Sequence, residues 1–227
     1  MDFMENDNNV ITEPSKSYLP KTFLWMFMGL LVTGIIAIFS YNTGLVANLL
    51  YDGLFEVVCI IELVVVIVFS LLSRKLSATA VGILYFVYAI INGISMSVIF
   101  AAFEIESIAL VFIASAGLFA IFAFIGYKTN IDLTKIGNIL LGVLFVGIIV
   151  SLINLFIGNS MIDIILDWVL LLVFFGVTAY DIQKIKNMQE QGLIQDDKLH
   201  IYGAMEIYLD FINIFLRLLS IFGKRRD

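Results

Sequence analysis

Seven stretches of roughly 20 residues, each long enough to cross a bilayer as a helix, take up most of this 227-residue chain. They run over approximately 22–40, 54–72, 80–102, 107–127, 136–158, 162–182 and 201–223. Hydrocarbon offers a backbone no hydrogen bonds, so each stretch must satisfy its own N–H and C=O groups as a helix. The expected fold is therefore an all-α polytopic membrane protein of seven spans joined by short loops. Composition agrees: the chain is 61% hydrophobic and 14% charged, against about 45–50% and 25% in a soluble domain. No room is left for a separate soluble domain.

The expected organisation is an acidic, disordered cytoplasmic tail over 1–20, a membrane domain over 21–223 and a short basic tail over 224–227. Asp2, Glu5, Asp7 and Glu13 make the tail acidic, a composition that favours solvation over packing. The same polarity argues against a signal peptide, and no basic patch suits a nucleic acid. Cys59 is the single cysteine. It excludes an intrachain disulfide and reads as a small buried hydrophobe. Small residues such as Gly93, Gly117, Gly142 and Gly147 permit close approach of helices, since lipid gives them no hydrophobic drive to associate.

Lysine and arginine alternate from loop to loop. Lys16 and Lys21 precede the first span, Arg74 and Lys75 follow the second, Lys128 and Lys135 follow the fourth, and Lys184, Lys186 and Lys198 follow the sixth. The intervening loops have none. The positive-inside rule then places the N-terminus and the even-numbered loops in the cytoplasm of a cell membrane. Lys224, Arg225 and Arg226 break the pattern: a spanning seventh segment puts them outside, whereas a re-entrant one returns them inside. An uninterrupted helix favours spanning.

That seventh segment also carries Glu206, Asp210, Asn213 and Arg217, spaced to share one helical face. A charge at mid-membrane costs about 2.5–3.5 kcal/mol on insertion scales, so this face must be enclosed by protein or water, and an intramembrane ionisable group is a functional-site candidate. The segment forms a hairpin with the sixth span, which ends in AYDIQ (179–183), so Asp181 and Asp210 can meet near its cytoplasmic end. Two carboxylates in low dielectric share a proton, which suits a pH sensor, a proton relay or a cation site. A structural reading competes: Asp181 bonded to Tyr180 or Lys184, and Asp210 paired with Arg217.

Glu62 is deep in the second span. Arg74, at its cytoplasmic end, is either an anchor to that membrane face or a latch on the aspartate pair through a charge-assisted hydrogen bond. Glu56 and Asp167 read as interfacial, and Glu104 and Glu106 as external groups that attract cations or keep their loop wet. His200 reads as solvated surface in a polar loop, and without a second histidine or cysteine nearby a zinc site is not expected. No HExxH, GxSxG or phosphate-binding glycine loop is present, and the last span has neither a retinal lysine nor the Gly-x-Gly-Asp of intramembrane aspartyl proteases. The chain is not expected to be an enzyme or to need a cofactor. Carboxylate oxygens suit a hard cation such as Ca²⁺, with Asp181 and Asp210 as its possible contacts.

AYDIQKIK at 179–186 and YGAMEIYLDFINIFLRLLSIFG at 202–223 resemble the Bax inhibitor-one (transmembrane Bax inhibitor motif) family. NGIS at 92–95 and Glu62 followed by Arg74 agree more weakly. The resemblance implies a seven-helix bundle with the C-terminal helix in the centre. It also implies a bacterial membrane protein in which Asp181 and Asp210 sense pH, Arg74 latches them, and Glu62 lies along the path of a Ca²⁺ leak; Glu206, Asn213 and Arg217 join that path as the rest of the polar face. The expected function is a pH-sensitive, Ca²⁺-permeable leak channel or transporter, whose partners are membrane lipids, protons and Ca²⁺. The alternatives are a non-conducting regulator of a membrane-bound quality-control protease, which some bacterial relatives suggest, and proton-coupled transport of a small solute.

Overall fold

The computed structural model describes residues 18–73, 75–191 and 196–226. Arg74, Gly192 and residues 1–17 of the expected tail lie outside them. Eight helices follow in order: α1 (Tyr18–Asn42), α2 (Leu45–Tyr51), α3 (Leu54–Leu72), α4 (Ala78–Ala102), α5 (Ile105–Lys128), α6 (Thr134–Ile157), α7 (Ser160–Glu190) and α8 (Asp196–Phe222). Six of them, α1 and α3 to α7, are long and apolar enough to cross a membrane. The protein is an all-helical, multi-pass membrane protein. At 27 residues α8 is longer than every other helix but α7, about 40 Å at 1.5 Å per residue; it is not among those six, and it carries Glu206, Asp210 and Arg217.

The helices match the apolar runs to within a few residues at most ends, with three differences. The described part of α1 begins at Tyr18, so Tyr18 to Pro20 belong to a helix and not to the tail. Helix α7 continues to Glu190, carrying Lys184 and Lys186 on a continuous helix beyond the sixth apolar run. Helix α2 was not expected. It is seven residues long, bracketed by Gly44 (φ 77°) and Gly53 (φ 67°) in the left-handed conformation that glycine adopts without steric cost.

Helix α8 packs against α1, α4, α5 and α7, and Tyr202 stacks on Phe69 of α3. Met205, Ile207, Tyr208, Phe211, Ile214 and Leu219 along it are all 2% exposed or less. By contrast α3 buries only Phe69, and α6 only Gly137, Gly147 and Asn154. These two helices form the rim, α3 against α4 and α6 against α7. Cys59 lies on the outer face of α3 and is exposed, not buried. An apolar run with almost no inward face gives a thiol no core to enter.

Close helix contacts fall at particular glycines. A Cβ at Gly126 of α5 would sit 2.1 Å from the Ala179 carbonyl oxygen of α7, and one at Gly93 of α4 would sit 2.8 Å from the Thr33 carbonyl oxygen of α1. Gly117 and Gly142 have open space instead.

Beyond α8 the chain folds over the α4–α5 connection. Phe103 and Arg225 form an antiparallel bridge, Glu104 N–H donates to the Lys224 carbonyl (3.0 Å) and Arg226 N–H to that of Ala102 (3.0 Å). Lys224 Nζ pairs with Glu104 at 2.7 Å, and Arg226 Nη1 donates to the Phe100 carbonyl at 2.9 Å. The basic tail therefore sits at the end of the bundle opposite the α7–α8 connection, and α8 reaches it without a break. Glu104 serves as its anchor.

Candidate functional site

Helices α7 and α8 are antiparallel neighbours, and two short polar repeats face each other across them. On α7, Asp181 and Lys184 are three residues apart; on α8, Glu206 and Asp210 are four apart, so each pair shares a face. Lys184 Nζ donates to Glu206 Oε1 and lies 3.8 Å from Asp181 Oδ1. Asp181 and Glu206 are both close enough to act electrostatically on Asp210, and the Thr178 hydroxyl, bonded to the Phe174 carbonyl at 2.8 Å, lies against it. Asp181 and Asp210 are buried, at 8% and 3% exposure. The structure thus brings the expected aspartates into one cluster and adds two members to it.

Among the described residues the cluster holds three carboxyls around one ammonium. Asp210 Oδ2 and Glu206 Oε2 are buried without a hydrogen-bond partner. Leaving a buried polar atom unsatisfied costs about 1–3 kcal/mol, so stability alone does not account for this arrangement. Each orphaned oxygen has room in its chemistry for one proton. Among the described residues no group of three or more His, Cys, Asp or Glu side chains is arranged to hold a metal ion. Lys184 already supplies the positive charge between Asp181 and Glu206.

The rest of AYDIQ holds the end of α7 in place. Buried Gln183 donates from Nε2 to the Ile131 carbonyl (2.8 Å) and accepts from Leu133 N–H at Oε1 (2.8 Å), tying the α5–α6 connection to α7. The Tyr180 ring fills the space that a side chain at Gly137 of α6 would need.

The face Glu206–Asp210–Asn213–Arg217 does not act as one unit. Asn213 donates back to its own helix, to the Leu209 carbonyl at 2.8 Å. Arg217 pairs with Asp167 at 2.7 Å instead of Asp210, and Ser220 donates to the other Asp167 oxygen at 2.5 Å. Asp167 is buried, not interfacial, because α8 brings it this partner. Both groups follow one hairpin register: fourteen residues back along α7, from Asp181 to Asp167, correspond to fourteen forward along α8, from Glu206 to Ser220. His200 is the other displaced residue. It belongs to α8 and lies half-buried, its ring 5.9 Å from that of Trp25.

Glu62 enters a second polar cluster that sequence reasoning did not assemble. Its Oε1 accepts from Ser95 Oγ at 2.6 Å and from Asn92 Nδ2 at 3.2 Å. Asn92 Oδ1 accepts from Tyr208 OH at 2.8 Å, and that hydroxyl shares a 2.6 Å hydrogen bond with Thr33 Oγ1. Four helices, α1, α3, α4 and α8, contribute these five residues, two of them from α4. The signal was present as Asn92 and Ser95, a polar i, i+3 pair within an apolar run. Tyr208 and Thr33 gave none, since both are ordinary in apolar helices.

Comparison with known proteins places this site in a family. The chain is 37% identical over 217 residues to the inner membrane protein YbhL of Escherichia coli, covering 93% of each chain. It is 32% identical over 215 residues to an uncharacterized protein of Deinococcus radiodurans, covering 93% of this chain and 92% of that one. A Rickettsia prowazekii protein, also uncharacterized, is 32% identical over 227 residues, with 97% and 94% covered. The family model described as Inhibitor of apoptosis-promoting Bax1 matches residues 15–227, taking in α1 to α8 and both polar clusters, and the chain belongs to that family.

Proposed function

We propose that the protein is a pH-sensitive leak pathway for Ca²⁺ in the bacterial inner membrane, gated by proton occupancy of the Asp181–Lys184–Glu206–Asp210 cluster. The observation that carries this reading is the pair of orphaned oxygens on Asp210 and Glu206, in a cluster where carboxyls outnumber ammonium groups among the described residues. Proton occupancy sets the net charge of such a coupled group, and so the electrostatic attraction between α7 and α8. Burial strengthens that dependence, because charges deep in protein are poorly screened. In this reading α8 is the seventh span, the N-terminus is cytoplasmic and Ca²⁺ is cargo, not a resident ion. The cluster would stand near the cytoplasmic end, with Glu62 and its partners lying farther along the path.

The test is reconstitution in liposomes loaded with a Ca²⁺ indicator, with external pH varied. Flux that changes with pH is expected from the wild type, and loss of that dependence from Asp181→Asn and Asp210→Asn. Absence of flux at every pH, or unchanged pH dependence in both variants, rules the proposal out.

A further inference from the structure

Between α1 and α5 lies a lateral cavity of about 1060 Å³ that has no part in either polar cluster. It exists because both helices pack on α8 while their backbones make little or no contact with each other; Phe23 and Phe119 meet edge-on at 6.4 Å across the seam. Helix α5 turns its small residues Ala116, Ala120 and Ala123 into the gap, and Phe211 of α8 lies among its lining residues. From Phe112 to Tyr127 along α5 it extends fifteen residues, about 22 Å. One leaflet's share of a hydrocarbon core of about 30 Å is about 15 Å. The groove is long enough to take an acyl chain from the bilayer surface to beyond the midplane.

One end of this apolar groove is basic. Lys186 lines it, half-buried, with its ammonium 5.4 Å from the centre of the Tyr127 ring and 3.5 Å from the Tyr127 carbonyl oxygen. Among the described residues Lys186 forms no ion pair, even though Glu190, exposed, lies one turn further along α7 at the same rim. Lys21 on α1 and Lys128 on α5 flank this end, both exposed and both without a carboxylate partner among the described residues. Three ammonium groups with no ion pair among the described residues, at the polar end of an apolar slot where Glu190 is the one lining carboxylate, match the phosphate and chain of one molecule. A neutral lipid or an apolar helix from another protein would leave them unused.

We propose that the α1–α5 groove binds an anionic phospholipid, its acyl chain lying along Ala116, Ala120 and Ala123 and its phosphate held by Lys186 with Lys21 and Lys128. A phosphate within a few ångströms of an ammonium at the membrane surface gains a charge-assisted hydrogen bond, and basic residues near the surface add roughly 1 kcal/mol each toward anionic lipid.

Protein stripped of lipid by detergent exchange, then titrated with phosphatidylglycerol or phosphatidylcholine and followed by native mass spectrometry, tests this. Wild type is expected to retain phosphatidylglycerol at least threefold more than phosphatidylcholine. Lys186→Gln is expected to remove that preference, and Ala120→Phe to reduce retention of both lipids. A phosphatidylglycerol with a photoreactive acyl chain provides a measurement on the wild type alone, so the answer does not depend on Ala120→Phe folding. Cross-links on the facing surfaces of α1 and α5 support the groove. Equal retention of both lipids by the wild type, an unchanged preference in Lys186→Gln, or cross-links confined to α3 and α6 overturns it. None of these readouts involves Ca²⁺ flux, so failure here is separate from failure of the leak reading.

Discussion

Among the described residues Lys184 is the single cation beside three carboxyls, and its removal tests what the α7–α8 cluster costs to keep. Replacing it by methionine leaves Glu206 and Asp181 without their counter-charge at little change in volume. Breaking a buried ion pair from one side costs about 3–5 kcal/mol. The Lys184 side chain is 29% exposed, and partial solvation lowers that cost. Lys184→Met is expected to destabilise by about 2 kcal/mol, measured by chemical denaturation in detergent, and adding Glu206→Gln should recover part of the loss through their coupling. Full additivity of the two changes means that the pair contributes nothing. Sequence reasoning reached Asp181 and Asp210 because hairpin spacing brings them together, and it gave Lys184 no more than a hydrogen bond to Asp181. Pairing Arg217 with Asp210 failed for a specific reason. Seven residues along one helix share a face but stand about 10 Å apart, whereas the antiparallel neighbour brings Asp167 directly to Arg217.

At the scale of helices, apolar runs located α1 and α3 to α8 to within a few residues at most ends, because each must satisfy its backbone within one segment. Helix α2 stayed hidden because seven residues carry too few turns for a period to be seen. Which glycines matter was also not legible, since close approach depends on which helices become neighbours. Gly126→Ala is expected to destabilise by about 1–3 kcal/mol, the range for overpacking, because the new methyl meets backbone of α7 that cannot rotate away. Gly142→Ala adds a methyl where there is open space and is expected to be neutral or to stabilise by up to about 1 kcal/mol, the helix-propensity difference. Thermal melting of both variants in the same detergent checks the contrast. Equal melting temperatures would mean that the α5–α7 contact is not tight.

For the whole molecule, lysine and arginine alternate from loop to loop in a pattern that only the C-terminal tail breaks. The structure gives that tail local partners, Glu104 for Lys224 and the Phe100 carbonyl for Arg226, which offset its placement at the end away from Lys184. The α1–α5 groove could not be read from sequence at all, because it depends on two helices that fail to pack. The burial of α8 bears also on the order in which the protein is put together. Glu206, Asp210 and Arg217 each oppose entry into hydrocarbon by about 2.5–3.5 kcal/mol, while their partners Lys184 and Asp167 come from α7. In the seven-span reading proposed above, α8 is expected to enter the membrane late, after the helices that supply its partners have assembled there. In a membrane-insertion reporter, residues 196–222 alone should insert far less than residues 134–157, and should gain efficiency when α1 to α7 precede them. Equal insertion of the two isolated segments would mean that α8 enters unaided and that its charges exert no control over assembly.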